Sequence, residues 1–285
     1  MADKYFQLKI STDNDINDLI VGFLSDVGVE GFVEESDGLS CYFAEAKWKP
    51  SLEKDVTKFL ERLKGEDKIG GFAIDVAAIQ NQDWNMQWEE SIVPIEVTKN
   101  VAIKPSWKEY HGAAKIVIEI DPKMSFGTGH HETTRMMVQL LEKFVKGGEK
   151  VLDIGTGTGV LAIAAVKLGA AGCTAIDNDD WSIQNAKENV EKNNAADKIN
   201  LVKEEIISEK PSEFDIVLAN LNRNTLLYIK PEIYERCKNG GIVLVAGILT
   251  LDEESIVDNY RQIGFNLIDV IREAEWSAMA FKKSS

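Results

Sequence analysis

Residues 151 to 159 read Val-Leu-Asp-Ile-Gly-Thr-Gly-Thr-Gly, an apolar strand running straight into glycines at 155, 157 and 159. Glycines take positive φ and let a ligand lie against the backbone with no side chain between. Asp177 closes the next apolar run, residues 173–177, where a carboxylate suits ribose hydroxyls. Strand, glycine turn, helix, strand and acid make a nucleoside-binding unit. A dinucleotide turn needs G-x-G-x-x-G, and here Val160 stands where its third glycine belongs. Pyrophosphate also draws on the positive end of the following helix. S-adenosylmethionine carries no phosphate and needs only the close approach. The G-x-G-x-G spacing therefore points to S-adenosylmethionine and away from NAD. The plain alternative is a tight strand-to-helix turn with no ligand.

Two further segments bear chemistry. Residues 121–134 read Asp-Pro-Lys-Met-Ser-Phe-Gly-Thr-Gly-His-His-Glu-Thr-Thr. Gly127 and Gly129 make a flexible loop, and Thr133 and Thr134 fall at or just inside a helix start. Their hydroxyls either bond a ligand carboxylate or cap the helix. His130 and His131 are adjacent, poor geometry for one metal, and no ligand cluster accompanies them. The second segment, Leu218-Ala-Asn-Leu-Asn-Arg223, ends an apolar strand on an amide. Asn220 is either a turn residue or a group whose carbonyl accepts from an attacking amine and orients its lone pair. Methyl transfer from a sulfonium is an in-line displacement whose nucleophile must be neutral, close and aligned. Desolvation favours the neutral form of a lysine amine. No general base stands out, so orientation and desolvation are expected to carry the rate.

The elements that position these groups follow from periodicity. From residue 115 strands are expected at 116–120, 150–154, 172–177, 199–202, 214–219, 241–247, 265–272 and 276–281, with helices near 132–145, 159–168, 181–193, 225–237 and 252–263. This is an α/β pattern: a doubly wound domain with a parallel sheet and a late antiparallel hairpin at its edge. Ligands in such sheets sit beyond the carboxyl ends of the central strands, where the glycine turn, Asp177 and Asn220 all fall.

Residues 1–80 read differently. A strand at 5–10, a helix carrying Ile16, Leu19, Ile20, Phe23, Leu24 and Val27, a hairpin of 31–35 and 39–45, a helix from Ser51 and a strand at 72–79 give βαββαβ, a small α+β ferredoxin-like domain. Nothing in it looks catalytic, so recognition is its expected role. Residues 81–114 form a connector in which Trp84 and Trp88, four apart, face a neighbouring domain or a ligand. The expected division is 1–80, 81–114 and 115–285.

The chain has 285 residues and a net charge of −15, and residues 1–95 carry nineteen acidic against nine basic residues. Such a domain repels phosphate backbones and attracts basic surfaces, unless the charge serves solubility alone. No apolar run is long enough for a membrane span, the N-terminus lacks a signal pattern, and three scattered cysteines form no framework. A cytoplasmic protein without a metal is expected.

With these motifs assembled, the chain resembles the bacterial methyltransferases that modify large-subunit ribosomal protein eleven. The resemblance runs over nearly the whole length, through Asp83-Trp84…Trp88, Phe126-Gly-Thr-Gly-His-His-Glu-Thr-Thr134, the glycine turn, Ala219-Asn-Leu221, Ala246-Gly-Ile-Leu249 and Glu275-Trp276. It implies a class I methyltransferase with a seven-stranded, Rossmann-like domain, which modifies lysine side chains and the N-terminal amine of its ribosomal protein, docked by the N-terminal domain. It implies that Thr134, Gly155, Asp177 and Asn220 contact S-adenosylmethionine. Gly157 and Phe126, from the same motifs, complete the candidate cofactor set, with Asn220 as the candidate catalytic residue. The second acid motif departs from the family's usual pattern at Asn178, and Asp177 rather than Asp179 is the choice for ribose.

Three other readings compete. A nucleic-acid amine methyltransferase commonly carries Asn-Pro-Pro-Tyr, and Asn220-Leu-Asn-Arg223 lacks both prolines and the aromatic that stacks on a flipped base. A non-catalytic S-adenosylmethionine-binding module is disfavoured by Asn220 beside the cofactor turn. An NAD-dependent oxidoreductase is disfavoured by Val160.

Overall fold

The structure is a computed structural model and describes residues 4–12, 20, 23, 24, 29, 31–35, 38–45, 47–49, 51–66, 68–80, 92–121, 127, 129–204 and 214–284. The chain divides into two compact units, Met1–Ile92 and Val93–Ser285.

The first unit holds strands β1 (Lys4–Thr12), β2 (Gly31–Glu35), β3 (Gly38–Ala44) and β4 (Phe72–Gln80), and helix α1 (Ser51–Gly65). The strands form an antiparallel sheet in the order β2-β3-β1-β4. In α1 the apolar positions Leu52, Val56, Leu60 and Leu63 recur three and four apart and are the ones buried, as one face of a helix requires. They join Leu8, Ile10, Leu39, Cys41 and Phe43 in one core, which also takes Ile20 and Leu24. Phe23 packs against it, half-buried, and residues 16–19, 21, 22 and 25–27 of the expected helix fall outside the described residues. So do Trp84 and Trp88.

The second unit begins with a small sheet of β5 (Ile95–Glu96), β6 (Val101–Lys104) and β7 (Ile116–Glu119). The alternating pattern then runs α2 (Glu132–Phe144), β8 (Lys150–Ile154), α3 (Val160–Lys167), β9 (Gly172–Asp177), α4 (Asp180–Lys192), β10 (Ile199–Lys203), β11 (Phe214–Asn220), α5 (Arg223–Tyr228), α6 (Lys230–Arg236), β12 (Cys237–Leu249), α7 (Glu253–Gln262), β13 (Phe265–Glu273) and β14 (Trp276–Lys283). The seven-stranded sheet has the order β10-β9-β8-β11-β12-β14-β13. Every pair is parallel except those of β14, which runs antiparallel between β12 and β13. The expected late hairpin is thus the sheet's edge.

Alternation along the central strands divides their side chains between two cores. Ile216, Leu218, Leu244, Ala246, Ala278 and Ala280 face one cluster. Val217, Ala219, Val243, Val245, Met279 and Phe281 face the other. A parallel sheet covered on both faces reads as a continuous apolar run for this reason. Each aliphatic side chain fully withdrawn from water contributes about 1.5–3 kcal/mol.

Two expectations need correction. Residues 116–120 lie outside the main sheet, because β7 pairs parallel with β6, and an isolated apolar run carries no record of its partner. Residues 225–237 form two helices, not one. Pro231 sits in the first turn of α6, and its ring and missing N–H cannot follow an unbroken helix.

Strand order reverses between β8 and β11, so their carboxyl ends flank the crevice where ligands bind such sheets. Among the described residues no helix is long and apolar enough to cross a membrane, and no group of three or more His, Cys, Asp or Glu is placed to hold a metal ion.

Candidate active site

The glycine turn follows β8 with φ of 70° at Gly155, 54° at Gly157 and 83° at Gly159. Gly155 and Thr156 both donate their N–H to Ile176 O, at 2.9 and 3.0 Å, which ties the turn to the end of β9. Gly157 N–H donates to Asp177 Oδ2 at 2.9 Å and Asp179 N–H to Asp177 Oδ1 at 3.1 Å. Backbone donors thus hold both carboxylate oxygens of Asp177. Asp179 is committed elsewhere: its Oδ2 accepts from Ser182 N–H at 2.8 Å and caps α4. A cavity of about 300 Å³ opens beside the turn, with Gly155, Asp177, Asn178, Leu221, Thr225 and Tyr228 in its wall. At φ 70° an L side chain at 155 is strained, and its Cβ would stand 2.6 Å from Leu221 Cδ2, the movable end of a cavity side chain.

Behind the turn Asp153 is buried, accepts from Thr156 Oγ1 at 2.6 Å, and keeps Oδ1 without a partner. Burial pushes its carboxyl up to about 6, against the pull of the Thr156 and Ala162 donors.

The start of α2 meets the end of β11 outside the lining of that cavity. His131, not a threonine, caps α2: its Nδ1 accepts from Thr133 N–H at 3.3 Å and lies 2.8 Å from Thr133 Oγ1. That frees the threonines from the capping role. Asn220 Nδ2 donates to Thr133 Oγ1 at 3.3 Å. This bond fixes the amide, and Asn220 Oδ1 is left buried without a hydrogen-bond partner, as is Thr134 Oγ1. A buried oxygen that lacks a donor costs about 1–3 kcal/mol, so each has room for a hydrogen bond from a ligand or an ordered water. The His131 ring meets Trp276 edge-on at 5.2 Å. Arg135 Nε donates to Glu273 Oε1 at 3.1 Å and its Nη2 to Glu132 Oε1 at 2.9 Å, tying the start of α2 to the β13–β14 hairpin.

Asn220 rides on a close backbone crossing. Leu221 N–H donates to Ala246 O at 3.1 Å. The β12–β14 register shifts between Val245 and Ile248, at Gly247 with φ 84°. A Cβ there would lie 2.4 Å from Leu221 O and 2.8 Å from Leu221 C. Asn222 then caps α5, its Oδ1 accepting from Thr225 N–H at 2.9 Å.

The structure brings Gly155 and Asp177 into one cavity wall, with Gly157 bonded to Asp177. It bonds Asn220 to Thr133, the neighbour of Thr134 in α2, and neither Thr134 nor Asn220 lines that cavity. Phe126 lies outside the described residues. Sequence reading missed Leu221, Thr225 and Tyr228 as cavity residues, since their spacing reads as the apolar face of a helix. It also missed the cap role of His131, a residue type seldom found there.

The family model for "Ribosomal protein L11 methyltransferase (PrmA)" matches residues 4–284. A ribosomal protein L11 methyltransferase of Chlorobaculum tepidum is 37% identical over 277 residues, covering 95% of this chain and 94% of the relative. One from Geotalea uraniireducens is 40% identical over 223 residues, covering 74% of this chain and 70% of the relative. A crystal structure of a ribosomal protein L11 methylase from Lactobacillus delbrueckii subsp. bulgaricus matches with a TM-score of 0.63 and 30% identity, over 68% of this chain and all of that one. The match from end to end, over a sheet that sets a glycine turn against an orphaned asparagine carbonyl, makes this chain a member of the ribosomal protein L11 methyltransferase family.

Proposed function

We propose that this protein transfers methyl groups from S-adenosylmethionine to ribosomal protein L11, at lysine side chains and the N-terminal amine. The observation that carries the reading is Asn220 Oδ1, buried and unpartnered at the carboxyl end of β11. The residues present fit the donor. The turn at Gly155 offers bare backbone that a Cβ would fill, the Asp177 carboxylate borders the cavity, and Thr134 Oγ1 awaits a partner. Asp177 would hold ribose hydroxyls, Gly155 and Gly157 would lie against the nucleoside, and Thr134 with Phe126 would complete the set. When bound, S-adenosylmethionine supplies an electrophilic methyl group. The chain's own part is orientation. Thr133 fixes the Asn220 amide, whose carbonyl oxygen can accept an N–H of the incoming amine and aim its lone pair. Exclusion of water favours the neutral amine.

Residues 1–80 serve in this reading as the recognition domain, 81–114 as the connector and 115–285 as the transfer domain, although β5 and β6 cluster with the second unit. The strand order β2-β3-β1-β4 supports a ferredoxin-like assignment for the first. Its acidic excess suits a basic ribosomal protein and disfavours direct contact with nucleic acid. The cytoplasm is the proposed compartment, in keeping with three free, buried cysteines.

The test is incubation of the full chain with labelled S-adenosylmethionine and a matched set of ribosomal proteins and ribosomal RNA. Label in L11 is expected. Label in RNA alone overturns the protein substrate, and cofactor binding without any label leaves a non-catalytic binding module.

A further inference from the structure

Two buried side chains with no part in the reading above join the glycine turn to the loop that leads into α2. Thr158 is fully buried, and its Oγ1 donates to Gly127 O at 2.7 Å. Its own carbonyl accepts from Asn189 Nδ2 at 3.0 Å. Asn189, also fully buried, accepts from Asp121 N–H at 3.0 Å and donates to Asp121 O at 3.3 Å. One turn residue and one helix residue thus grip the loop at 121 and at 127. A Cβ on Gly127 would stand 2.8 Å from Thr158 Oγ1, which marks how closely loop and turn meet.

The contacts continue along α4. Asn185 Nδ2 donates to Asp121 O at 2.8 Å. Asn193 Oδ1 accepts from Glu119 N–H at 3.0 Å and its Nδ2 donates to Glu119 O at 2.6 Å. Residues 185, 189 and 193 are four apart and share one helix face, so α4 presents a row of amides to the backbone of 119–121. The Lys192 ammonium and the Ser106 donors add to this anchor: they outweigh the burial of Asp121 and hold its carboxyl below the usual range. Beyond Gly127 the chain reaches the His131 cap and then Thr133, which meets Asn220.

Thr156 makes the contrast. Its hydroxyl satisfies the turn locally, on Asp153 three residues away. The Thr158 hydroxyl instead crosses to another loop, thirty-one residues distant in sequence. Thr158 is not in the wall of the cavity, so it acts through Gly127.

We propose that Thr158 and Asn189 are positioning residues that latch Asp121 and Gly127 onto the glycine turn, and so set Thr133 and Asn220 for transfer. The proposal rests on the methyl-transfer reading. Its test uses the full chain with Thr158→Val, which keeps volume and removes the hydroxyl, and Thr158→Ser, which restores it. Amide exchange in residues 129–134 is expected to quicken about tenfold in Thr158→Val while α3 keeps its protection. Turnover is expected to fall roughly 10- to 100-fold, with the dissociation constant for S-adenosylmethionine changing less than about threefold. Thr158→Ser is expected to restore both. Unchanged exchange at 129–134 overturns the latch. So does faster exchange that spreads equally through α3, turnover that stays at the wild-type level, or equal losses of affinity and turnover. If wild-type protein neither binds nor uses S-adenosylmethionine, the functional reading fails instead, and the exchange comparison still decides whether Thr158 holds the loop.

Discussion

Gly247→Ala puts a methyl group where the backbone of Leu221 already stands. Two costs separate. The first is the left-handed conformation, φ 84° at Gly247, which costs an L-residue about 1–2 kcal/mol. The second is the clash, with the new Cβ 2.4 Å from Leu221 O. Relieving it needs a shift on the order of 1 Å in a packed crossing, worth about 1–3 kcal/mol. Gly240 supplies the control: its φ is 73°, yet a Cβ there meets nothing within 4 Å, so Gly240→Ala carries only the first cost. At about 2–4 °C per kcal/mol, Gly240→Ala should melt roughly 2–8 °C below wild type and Gly247→Ala roughly 4–20 °C below. Because Leu221 follows Asn220, a displacement near 1 Å should also lower turnover about 100-fold. Thermal unfolding and label transfer on the same preparations read both effects. If Gly247→Ala melts with Gly240→Ala and turns over like wild type, the crossing does not hold Asn220 in place.

Other substitutions probe the remaining parts. Asp177→Ala should weaken S-adenosylmethionine binding by about 10- to 100-fold, as loss of a charge-assisted hydrogen bond implies, measured by calorimetry. Asn220→Ala should instead lower turnover about 100-fold with little change in cofactor affinity, and retained turnover would remove its orienting role. Asp153 sets a pH dependence. Burial raises its folded value from 3.8 to about 6, so its contribution to stability is fully present below about pH 4 and is lost as pH rises through 6. Asp153→Asn abolishes that titration, and the stability of the variant relative to wild type should rise by up to about 3 kcal/mol between pH 4 and 7, read from denaturant midpoints. A flat difference would refute the raised value. The acidic first unit should make KM for L11 increase with salt while kcat stays constant, because screening weakens long-range attraction.

What the sequence disclosed follows the range of the interactions involved. The glycine turn and Asp177 were legible because their requirements are local: positive φ, a bare backbone and an acid at a strand end. The parallel strands were legible because burial on both faces leaves unbroken apolar runs. Gly247 was visible as part of a motif, but its need for glycine comes from Leu221, twenty-six residues earlier, and no pattern around 247 records that neighbour. Thr158 was hidden in the same way, since its partner is the carbonyl of Gly127. Only the row Asn185, Asn189 and Asn193 left a trace, amides at helical spacing on one face.

The place of β14 bears on how the protein is made. Met279, Ala280 and Phe281 are fully buried, and their strand lies between β12 and β13, both of which precede it in the chain. Until a ribosome has translated past residue 283, β12 and β13 present open edges to one another, separated by a missing strand. An exposed strand edge is a template for association with other chains. Closure of the sheet therefore belongs to the period after synthesis of β14. A premature stop codon or stalled ribosome ahead of β14 should yield an aggregation-prone product, although every residue from Gly155 to Asn220 has been made.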